Sequence, residues 1–263
     1  MADETYSGIK GRTAIVTGGA KGIGEACVRL LVKHGANVAI FDIDGQAAEC
    51  LASSVGTNCT GYCVDVSDSQ AIRTTCQEVA VELGPPTLLV NNAGIGHYAT
   101  VTETTDDDWD RILNVNLKSY FLCAREAIPF MQNAGKGAIV NVASVQSFMS
   151  QQRVAAYCAS KAGILGLSRA MAVDHAPSIR SNAVCPGSVD TPMLAAALEG
   201  ALDKKALLQE CRNMHLLKRI GQPIEIAQLV VFLLSDLASF ITGQAIRIDG
   251  GIGLEIGGSV RDS

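Results

Sequence analysis

The chain has 263 residues, of which 48% are hydrophobic and only 5% are aromatic. This length suits one large α/β domain, or at most two small ones, and allows a core that needs no disulfide or structural metal. The net charge of −5 and the lack of a basic run argue against nucleic-acid binding.

The cysteine content indicates a reducing compartment. Nine cysteines, an odd number, are scattered along the chain, and the N-terminal sequence MADETYSGIK is polar and acidic without an apolar signal core. Cys59 and Cys63 are the only close pair, so no metal site is predicted. The apolar run at 226–240 is too short and too interrupted to span a bilayer. We expect a soluble cytoplasmic protein without a membrane partner.

Strand-like apolar runs alternate with helix-like segments through the first half of the chain. This alternation predicts a parallel sheet with helices on both faces. The predicted strands cover residues 13–19, 37–44, 59–68 and 87–94, and the predicted helices cover 22–36, 45–56 and 69–84. Asp68 or Ser67 is available to cap the third of these helices.

The second half continues the pattern with one interruption. A long helix is predicted over 106–132, with acidic residues at its N-terminal end, where the helix dipole favours them. Further strands are predicted at 137–144, 179–187 and 242–251, which makes seven in all. Residues 191–221 have helical segments and no strand pattern. No linker or repeat is present, so residues 1–263 are interpreted as a single domain.

A glycine-rich turn follows the first predicted strand. Gly18, Gly22 and Gly24 have the spacing G-x-x-x-G-x-G and lead directly into a helix. Such a turn lets the backbone approach a pyrophosphate at the positive end of the helix. A plain turn is the alternative, but the strand-turn-helix position favours dinucleotide binding.

The residue at the end of the second strand predicts which dinucleotide binds. Asp42 follows Gly24 by 18 residues, and a carboxylate there accepts hydrogen bonds from the adenosine ribose and repels a 2′-phosphate. Lys21 is in mild conflict with this interpretation, because a basic residue could favour the phosphate. A lysine that can extend into solvent should matter less, so the sequence predicts NAD rather than NADP.

Tyr157 and Lys161 are four residues apart, so in a helix both side chains share one face. An ammonium group beside a phenol can lower the phenol's pKa from its ordinary value near 10 and make it a useful base. The same spacing also occurs in ordinary amphipathic helices, so the pair alone does not decide the matter.

The ordered set of motifs resembles the classical short-chain dehydrogenases/reductases. The matching features are TGGAKGIG at 17–24, NNAG at 91–94, Asn116, Ser144, YCASK at 157–161, and Pro186-Gly187 followed by Thr191. The resemblance covers roughly residues 8–253. It implies a single Rossmann-type domain with a seven-stranded parallel sheet, usually assembled as a homotetramer through the predicted helix at 106–132 and the helix that carries Tyr157.

The resemblance also implies roles for individual residues. Tyr157 would be the general base, Lys161 would lower its pKa and bind the nicotinamide ribose, Ser144 would bind the substrate oxygen, and Asn116 would hold a water that links Lys161 to solvent. Implied cofactor contacts are Ile23, Asp65, Val66, Asn92, Gly94, Pro186, Gly187, Val189 and Thr191, in addition to Gly18, Lys21, Gly22, Gly24, Asp42, Tyr157 and Lys161. Without the resemblance, Asp65 reads equally well as a capping residue and Asn92 as a turn former.

The substrate is less well defined. Residues 191–219 are expected to form a lid over it, and His97 and Gln146 are the preferred substrate contacts, ahead of Gln151, Gln152, Met193 and His215. The segments ASVQS and AVDHAPSIRSNAVCPGSVDTPML resemble aldose 1-dehydrogenases, so oxidation of a secondary alcohol, with a sugar or polyol hydroxyl as a candidate, is the leading hypothesis.

Two other functions remain open at this stage. A carbonyl reductase such as a 3-oxoacyl carrier-protein reductase is the alternative enzyme, although Asp42 disfavours the NADPH that biosynthetic reduction usually uses. A non-catalytic NAD-binding scaffold is the alternative from another class. It predicts loss of a catalytic residue, and none is lost.

Overall fold

A computed structural model describes residues 6–199 and 201–254. The predicted single domain also included residues 1–5, 200 and 255–263, which lie outside the described residues. The strands are β1 (Thr13–Thr17), β2 (Asn37–Asp42), β3 (Cys59–Cys63), β4 (Pro86–Asn91), β5 (Gly137–Val142), β6 (Ile179–Pro186) and β7 (Ala245–Ile248).

The seven strands form one parallel sheet in the order β3-β2-β1-β4-β5-β6-β7. The predicted α/β fold with a seven-stranded parallel sheet is therefore confirmed. The strand order reverses between β1 and β4, and in open parallel sheets a crevice forms at such a point, beyond the carboxyl ends of the strands. The fold thus fixes where a ligand site belongs.

Helices cover both faces of the sheet. They are α1 (Gly22–Lys33), α2 (Gly45–Val55), α3 (Ser69–Glu82), α4 (Asp106–Leu113), α5 (Ser119–Asn133), α6 (Ala155–His175), α7 (Pro192–Glu199), α8 (Lys204–Asn213) and α9 (Pro223–Leu234). Of the helices among the described residues, none is long and apolar enough to cross a membrane.

Side chains of each central strand enter two separate cores because successive residues point to opposite faces. In β1, Val16 packs with α1, α2 and α9, whereas Ile15 packs with α3 and α5. Both side chains are fully buried. This arrangement explains why the central strands are almost continuously apolar and why no disulfide is needed; all nine cysteines are unpaired.

The predicted long helix at 106–132 is wrong in one respect. Residues Asn114–Lys118 form a π-helical turn that separates α4 from α5. A π turn widens the helix and displaces the residues it contains. Asn116 is inside this turn and is fully buried, so the interruption directs its side chain toward the interior.

Helix α1 differs from α2 and α3 in having no side-chain cap at its N-terminus. Asp44 caps α2 and Asp68 caps α3, each by accepting hydrogen bonds from backbone amides of the first turn. Asp68 rather than Ser67 is therefore the capping residue. At α1, the N-cap position is Lys21, whose side chain makes no capping hydrogen bond. The first amides of α1 are left for another partner.

Candidate active site

A cleft of about 810 Å³ opens at the carboxyl ends of β1 and β4. It collects nearly all of the residues that the sequence singles out. The predicted residues that line it are Gly18, Lys21, Gly22, Ile23, Asp42, Asp65, Val66, Asn92, Gly94, His97, Ser144, Gln146, Tyr157, Lys161, Pro186, Gly187, Val189 and Thr191. Gly24 and Asn116 are not among the lining residues, and both are buried behind its wall.

The glycine-rich turn is shaped by three glycines with different tasks. Gly18 and Gly22 have φ angles of +59° and +58°, a region that L-residues with side chains rarely adopt. At Gly24, a Cβ atom would lie 2.1 Å from the carbonyl oxygen of Gly18, so only glycine lets α1 start this close to the turn. Together with the uncapped α1, the turn fits a pyrophosphate.

Asp42 is held in place by the turn next to it. One carboxylate oxygen accepts a hydrogen bond from the backbone amide of Ala20 at 3.0 Å. The other accepts one from the backbone amide of Asp44, also at 3.0 Å. Lys21 is paired with the Asp44 carboxylate, with 2.7 Å between Nζ and Oδ2. The lysine charge is thus engaged by a second carboxylate, while Asp42 faces the cleft.

Asn92 and Asp65 make further hydrogen bonds around this part of the cleft. The Asn92 side chain donates hydrogen bonds to the carbonyl oxygens of Thr17 and Gly18, at 3.0 and 2.9 Å. This contact fixes the end of β4 to the glycine-rich turn. Asp65 is exposed and accepts hydrogen bonds from the backbone and hydroxyl of Ser67, and it caps no helix.

Lys161 is the buried centre of a group that includes Ser144 and Tyr157. It is 3% exposed, and Nζ donates a hydrogen bond to the carbonyl oxygen of Val142 at 2.9 Å. Nζ lies 5.7 Å from the ring centre of Tyr157 and 5.6 Å from that of Tyr120, both within cation–π range. Ser144, which is 8% exposed, begins a short 3-10 turn and accepts a hydrogen bond from the backbone amide of Gln146.

Asn116 connects the π-helical turn to the rest of this group. Its amide nitrogen donates to the carbonyl oxygen of Ile95 at 2.9 Å and to the Ser160 hydroxyl at 3.2 Å, and its oxygen accepts from the Ile95 amide at 2.8 Å. The side chain therefore holds the segment after β4 against α6. A Cβ atom at Gly94 would lie 3.5 Å from both Asn116 Oδ1 and Lys161 Nζ, which shows how closely the three residues approach.

The loop after β6 forms the wall opposite the glycine-rich turn. A Cβ atom at Gly22 would lie 3.3 Å from a methyl carbon of Thr191, so the two walls nearly touch there. The Thr191 hydroxyl donates to the carbonyl oxygen of Val189 and accepts from the Leu194 amide, which starts α7. This contact ties the segment that follows to the loop.

Comparison with known proteins agrees with this geometry. Residues 18–253 match the family model described as enoyl-(acyl carrier protein) reductase. A 3-oxoacyl-[acyl-carrier-protein] reductase from Thermotoga maritima is 36% identical over 93% of this chain and 98% of its own length. The chain belongs to the short-chain dehydrogenase/reductase family. The predicted family membership is confirmed.

Other members of the short-chain dehydrogenase/reductase family are named for different activities. A 2-(S)-hydroxypropyl-CoM dehydrogenase from Xanthobacter autotrophicus is 36% identical over 93% of this chain and 97% of its own length. The ligand-free structure of an aldohexose dehydrogenase from Thermoplasma acidophilum has a TM-score of 0.89 at 34% identity and covers 98% of this chain and 100% of its own. The family consists of oxidoreductases that use a nicotinamide cofactor, and the chain shares that class.

The pKa of the Tyr157 phenol differs from the one expected from the sequence. The sequence predicts that Lys161 lowers the pKa of Tyr157, but in this structure desolvation raises the pKa of Tyr157 to about 12. Interaction with the Ser144 hydroxyl acts in the lowering direction and is outweighed. Burial also lowers the pKa of Lys161 to about 8, so the ammonium group is still protonated at neutral pH.

The substrate end of the cleft contains some predicted residues and excludes others. Gln151 and Met193 line it, whereas Gln152 and His215 do not. His215 is 2% exposed and has a different place: Nε2 accepts a hydrogen bond from the Ser188 amide at 3.1 Å, and Nδ1 lies 2.7 Å from the carbonyl oxygen of Cys211. It joins the end of α8 to the loop after β6.

Sequence reasoning missed much of the apolar lining at this end. The lining residues that it did not name are Tyr98, Met149, Val154, Leu194, Ala197, Leu198, Leu207, Cys211, Met214 and Ile252. The signal for several of them was present, because α7 and α8 carry apolar residues in a region without strands. Among the described residues, no cluster of three or more metal-ligating side chains is present.

Proposed function

We propose that this protein is an NAD-dependent oxidoreductase that transfers a hydride between a secondary alcohol and nicotinamide, with Tyr157 as general base. One observation carries the proposal: a single cleft joins the glycine-rich turn at the uncapped start of α1 to Ser144, Tyr157 and Lys161. In this proposal residues 191–219 form a lid over the substrate, supported by the apolar residues of α7 and α8 that line the cleft.

The choice of NAD rests on the charges at the end of β2. Asp42 presents a carboxylate at the cleft, and Asp44, two residues later, engages the nearby Lys21. A ribose with two free hydroxyls can donate to Asp42, whereas a 2′-phosphate would meet negative charge. Pairing Lys21 with Asp44 removes the main argument for NADP.

The chain's own residues account for the proton and for substrate placement. When bound, the nicotinamide supplies the hydride acceptor for alcohol oxidation. Ser144 holds the substrate oxygen, and Tyr157 takes the hydroxyl proton as the alcohol becomes a carbonyl compound. Because burial raises the pKa of Tyr157 to about 12, the phenol needs adjacent positive charge to act as a base. Lys161 is the cation that this chain provides beside it, 5.7 Å from the ring centre.

A sugar or polyol hydroxyl is one candidate for the reacting group, supported by Gln146 beside Ser144 and by similarity to an aldohexose dehydrogenase. A second candidate function is reduction of a 3-oxoacyl thioester, which similarity to the Thermotoga maritima reductase favours. An acidic carrier protein requires a basic docking surface, and among the described residues that line the cleft the only lysine or arginine side chains are Lys21 and Lys161.

Assembly and location complete the proposal. A cytoplasmic homotetramer is supported by nine unpaired cysteines and by apolar side chains exposed on α5 and α6, among them Phe121 at 46% and Val173 at 79% exposure. Light scattering of the purified protein tests the tetramer directly, and a monomer or dimer would contradict it.

The decisive experiment compares Tyr157→Phe with Tyr62→Phe. Loss of a general base reduces turnover by roughly 10²–10⁴-fold, so Tyr157→Phe should bind NAD normally and reduce it very slowly in the presence of secondary alcohols. Tyr62 bonds to Glu82 outside the cleft, and its variant should keep wild-type activity. Near-normal turnover by Tyr157→Phe rejects the mechanism. Bound NAD without turnover of any alcohol or carbonyl compound by the wild type supports the non-catalytic scaffold instead.

A further inference from the structure

Two buried polar atoms in the substrate end of the cleft lack hydrogen-bond partners among the described residues. They are Oε1 of Gln146 and Nε2 of His97, and both residues line the cleft. The Asp108 carboxylate lies 3.9 Å from His97 Nε2, which is beyond hydrogen-bond range. Buried polar atoms are nearly always paired, so these two indicate a ligand that supplies polar groups.

Gln146 is the more informative of the two because it is next to the reacting group. Its backbone amide donates to the Ser144 hydroxyl at 3.1 Å, and its side-chain nitrogen donates to Gln151 Oε1 at 3.0 Å. Exchanging the oxygen and nitrogen of both glutamine amides would leave a donor unpaired in place of an acceptor. A hydroxyl group satisfies either arrangement, because it can donate and accept.

The opposite wall of the substrate end is apolar. Met193, Leu194 and Leu198 of α7 line it, together with Leu207 of α8 and Met214 just beyond that helix. Additional hydroxyl groups placed against this wall would lose their hydrogen bonds to water without replacement, which disfavours a molecule with hydroxyls on every side.

The charges of the lining residues restrict the class of substrate further. Among the described lining residues of the segments 95–98, 144–154 and 191–214, none is Lys, Arg, Asp or Glu. A carboxylate, phosphate or sulfonate on the substrate would therefore be buried there without a lysine or arginine partner other than Lys161, which already faces Tyr157. The pocket fits a neutral molecule.

Resting on the proposed function, we infer that the substrate is a neutral diol with one polar edge and an apolar back. The reacting carbinol lies at Ser144 and Tyr157, a hydroxyl on the adjacent carbon pairs with Gln146, and the remaining carbon skeleton packs against α7 and α8. Only the reacting carbinol loses a hydride and a proton. The second hydroxyl group serves for recognition.

A panel of defined alcohols tests this class with NAD reduction as the readout. The probes are cyclohexanol, cis- and trans-1,2-cyclohexanediol, 3-hydroxybutyrate, and an aldohexose with its 6-deoxy counterpart. We expect kcat/KM for one diol isomer to exceed that for cyclohexanol by roughly tenfold, since the diol satisfies Gln146. The kcat/KM for the 6-deoxy sugar should exceed that for the aldohexose, and 3-hydroxybutyrate should have the lowest kcat/KM of the panel. Equal rates for cyclohexanol and both diols, or a faster aldohexose, would overturn the inference.

Gln146→Met and Gln152→Met form a matched pair of variants. Gln146→Met should lose the preference for the diol, so that the ratio of kcat/KM for the diol to kcat/KM for cyclohexanol falls toward one, and an unchanged thermal unfolding midpoint shows that the variant is folded. Gln152 is exposed and outside the cleft, so its variant should keep the wild-type preference. An unchanged preference in Gln146→Met refutes the role of Gln146. If wild-type protein oxidises none of the alcohols, the proposed function fails, which is a different result from oxidation without a diol preference.

Discussion

The two ends of the cleft are built from different material. At the cofactor end, the ends of β1, β2 and β4 supply glycines, backbone amides and the fixed carboxylate of Asp42. At the substrate end, apolar side chains come from α7, α8 and the loops after β4 and β5. The first end presents mainly main-chain groups to a ligand, and the second presents mainly apolar side chains.

This difference explains why similar chains share a cofactor class and are named for different activities. Backbone amides at the turn are retained under most substitutions, provided that the glycines remain. Helices α7 and α8 have few such constraints, because α7 has no buried residue and α8 has only Cys211. Side chains there can change with little cost to folding, and the substrate changes with them.

Lys161 sits where the two ends meet, and replacing it should give the largest effect. Lys161→Met removes the cation beside Tyr157 and should reduce turnover by roughly 10²-fold or more. The free energy of unfolding of Lys161→Met should be higher than that of the wild type at pH 7. The wild-type protein must hold a buried ammonium group whose pKa is lowered from 10.5 to about 8, and the variant does not.

The pH dependence of that stability gain follows from the direction of the shift. As the pH rises from about 8 to 10.5, wild-type protein releases the Lys161 proton in the folded state before the unfolded state does, so its free energy of unfolding rises. The advantage of Lys161→Met should therefore shrink across this range, as measured by urea denaturation at several pH values. Lys136→Met, at an exposed position, is the control. A gap that stays constant with pH would contradict the buried charge.

A pair of glycine substitutions tests the cofactor end. Gly24→Ala puts a Cβ atom 2.1 Å from the Gly18 carbonyl oxygen, so the turn must shift and NAD binding should weaken by roughly 10- to 100-fold. Gly166→Ala, in the middle of α6, meets nothing within 4 Å and should stabilise the protein slightly. Calorimetric titration with NAD and thermal unfolding measure both effects. Equal NAD affinity in the two variants would show that the turn does not hold the cofactor.

The same contrast sets how much could be predicted from sequence. All seven strands were predicted because buried parallel strands are short apolar runs, and their carboxyl ends carry the motif residues. Gly18, Asp42 and Asn92 therefore reach one cleft as expected. Predicted strands were longer than observed, as at β3, where residues beyond Cys63 leave the sheet to form the cleft wall.

Features that depend on tertiary packing were missed. The π-helical turn Asn114–Lys118 contains no glycine or proline that would mark it in the sequence, so residues 106–132 were predicted as one helix. The raised pKa of Tyr157 results from burial by surrounding segments, which the spacing of Tyr157 and Lys161 does not reveal. His215 was considered for the substrate pocket, but backbone groups of Ser188 and Cys211 occupy both of its ring nitrogens, and His215 itself does not line the cleft.

The smallest predicted effect concerns the choice between NAD and NADP at the cofactor end. Asp42→Asn keeps an oxygen for one of the two backbone amides that Asp42 binds and removes the charge, so discrimination against NADP should fall by roughly tenfold. Lys21→Met, which breaks only an exposed ion pair with Asp44, should change the ratio of kcat/KM values by less than about threefold. If Lys21→Met alters the ratio more than Asp42→Asn does, the lysine and not the carboxylate selects the cofactor, and the NAD assignment must be reversed.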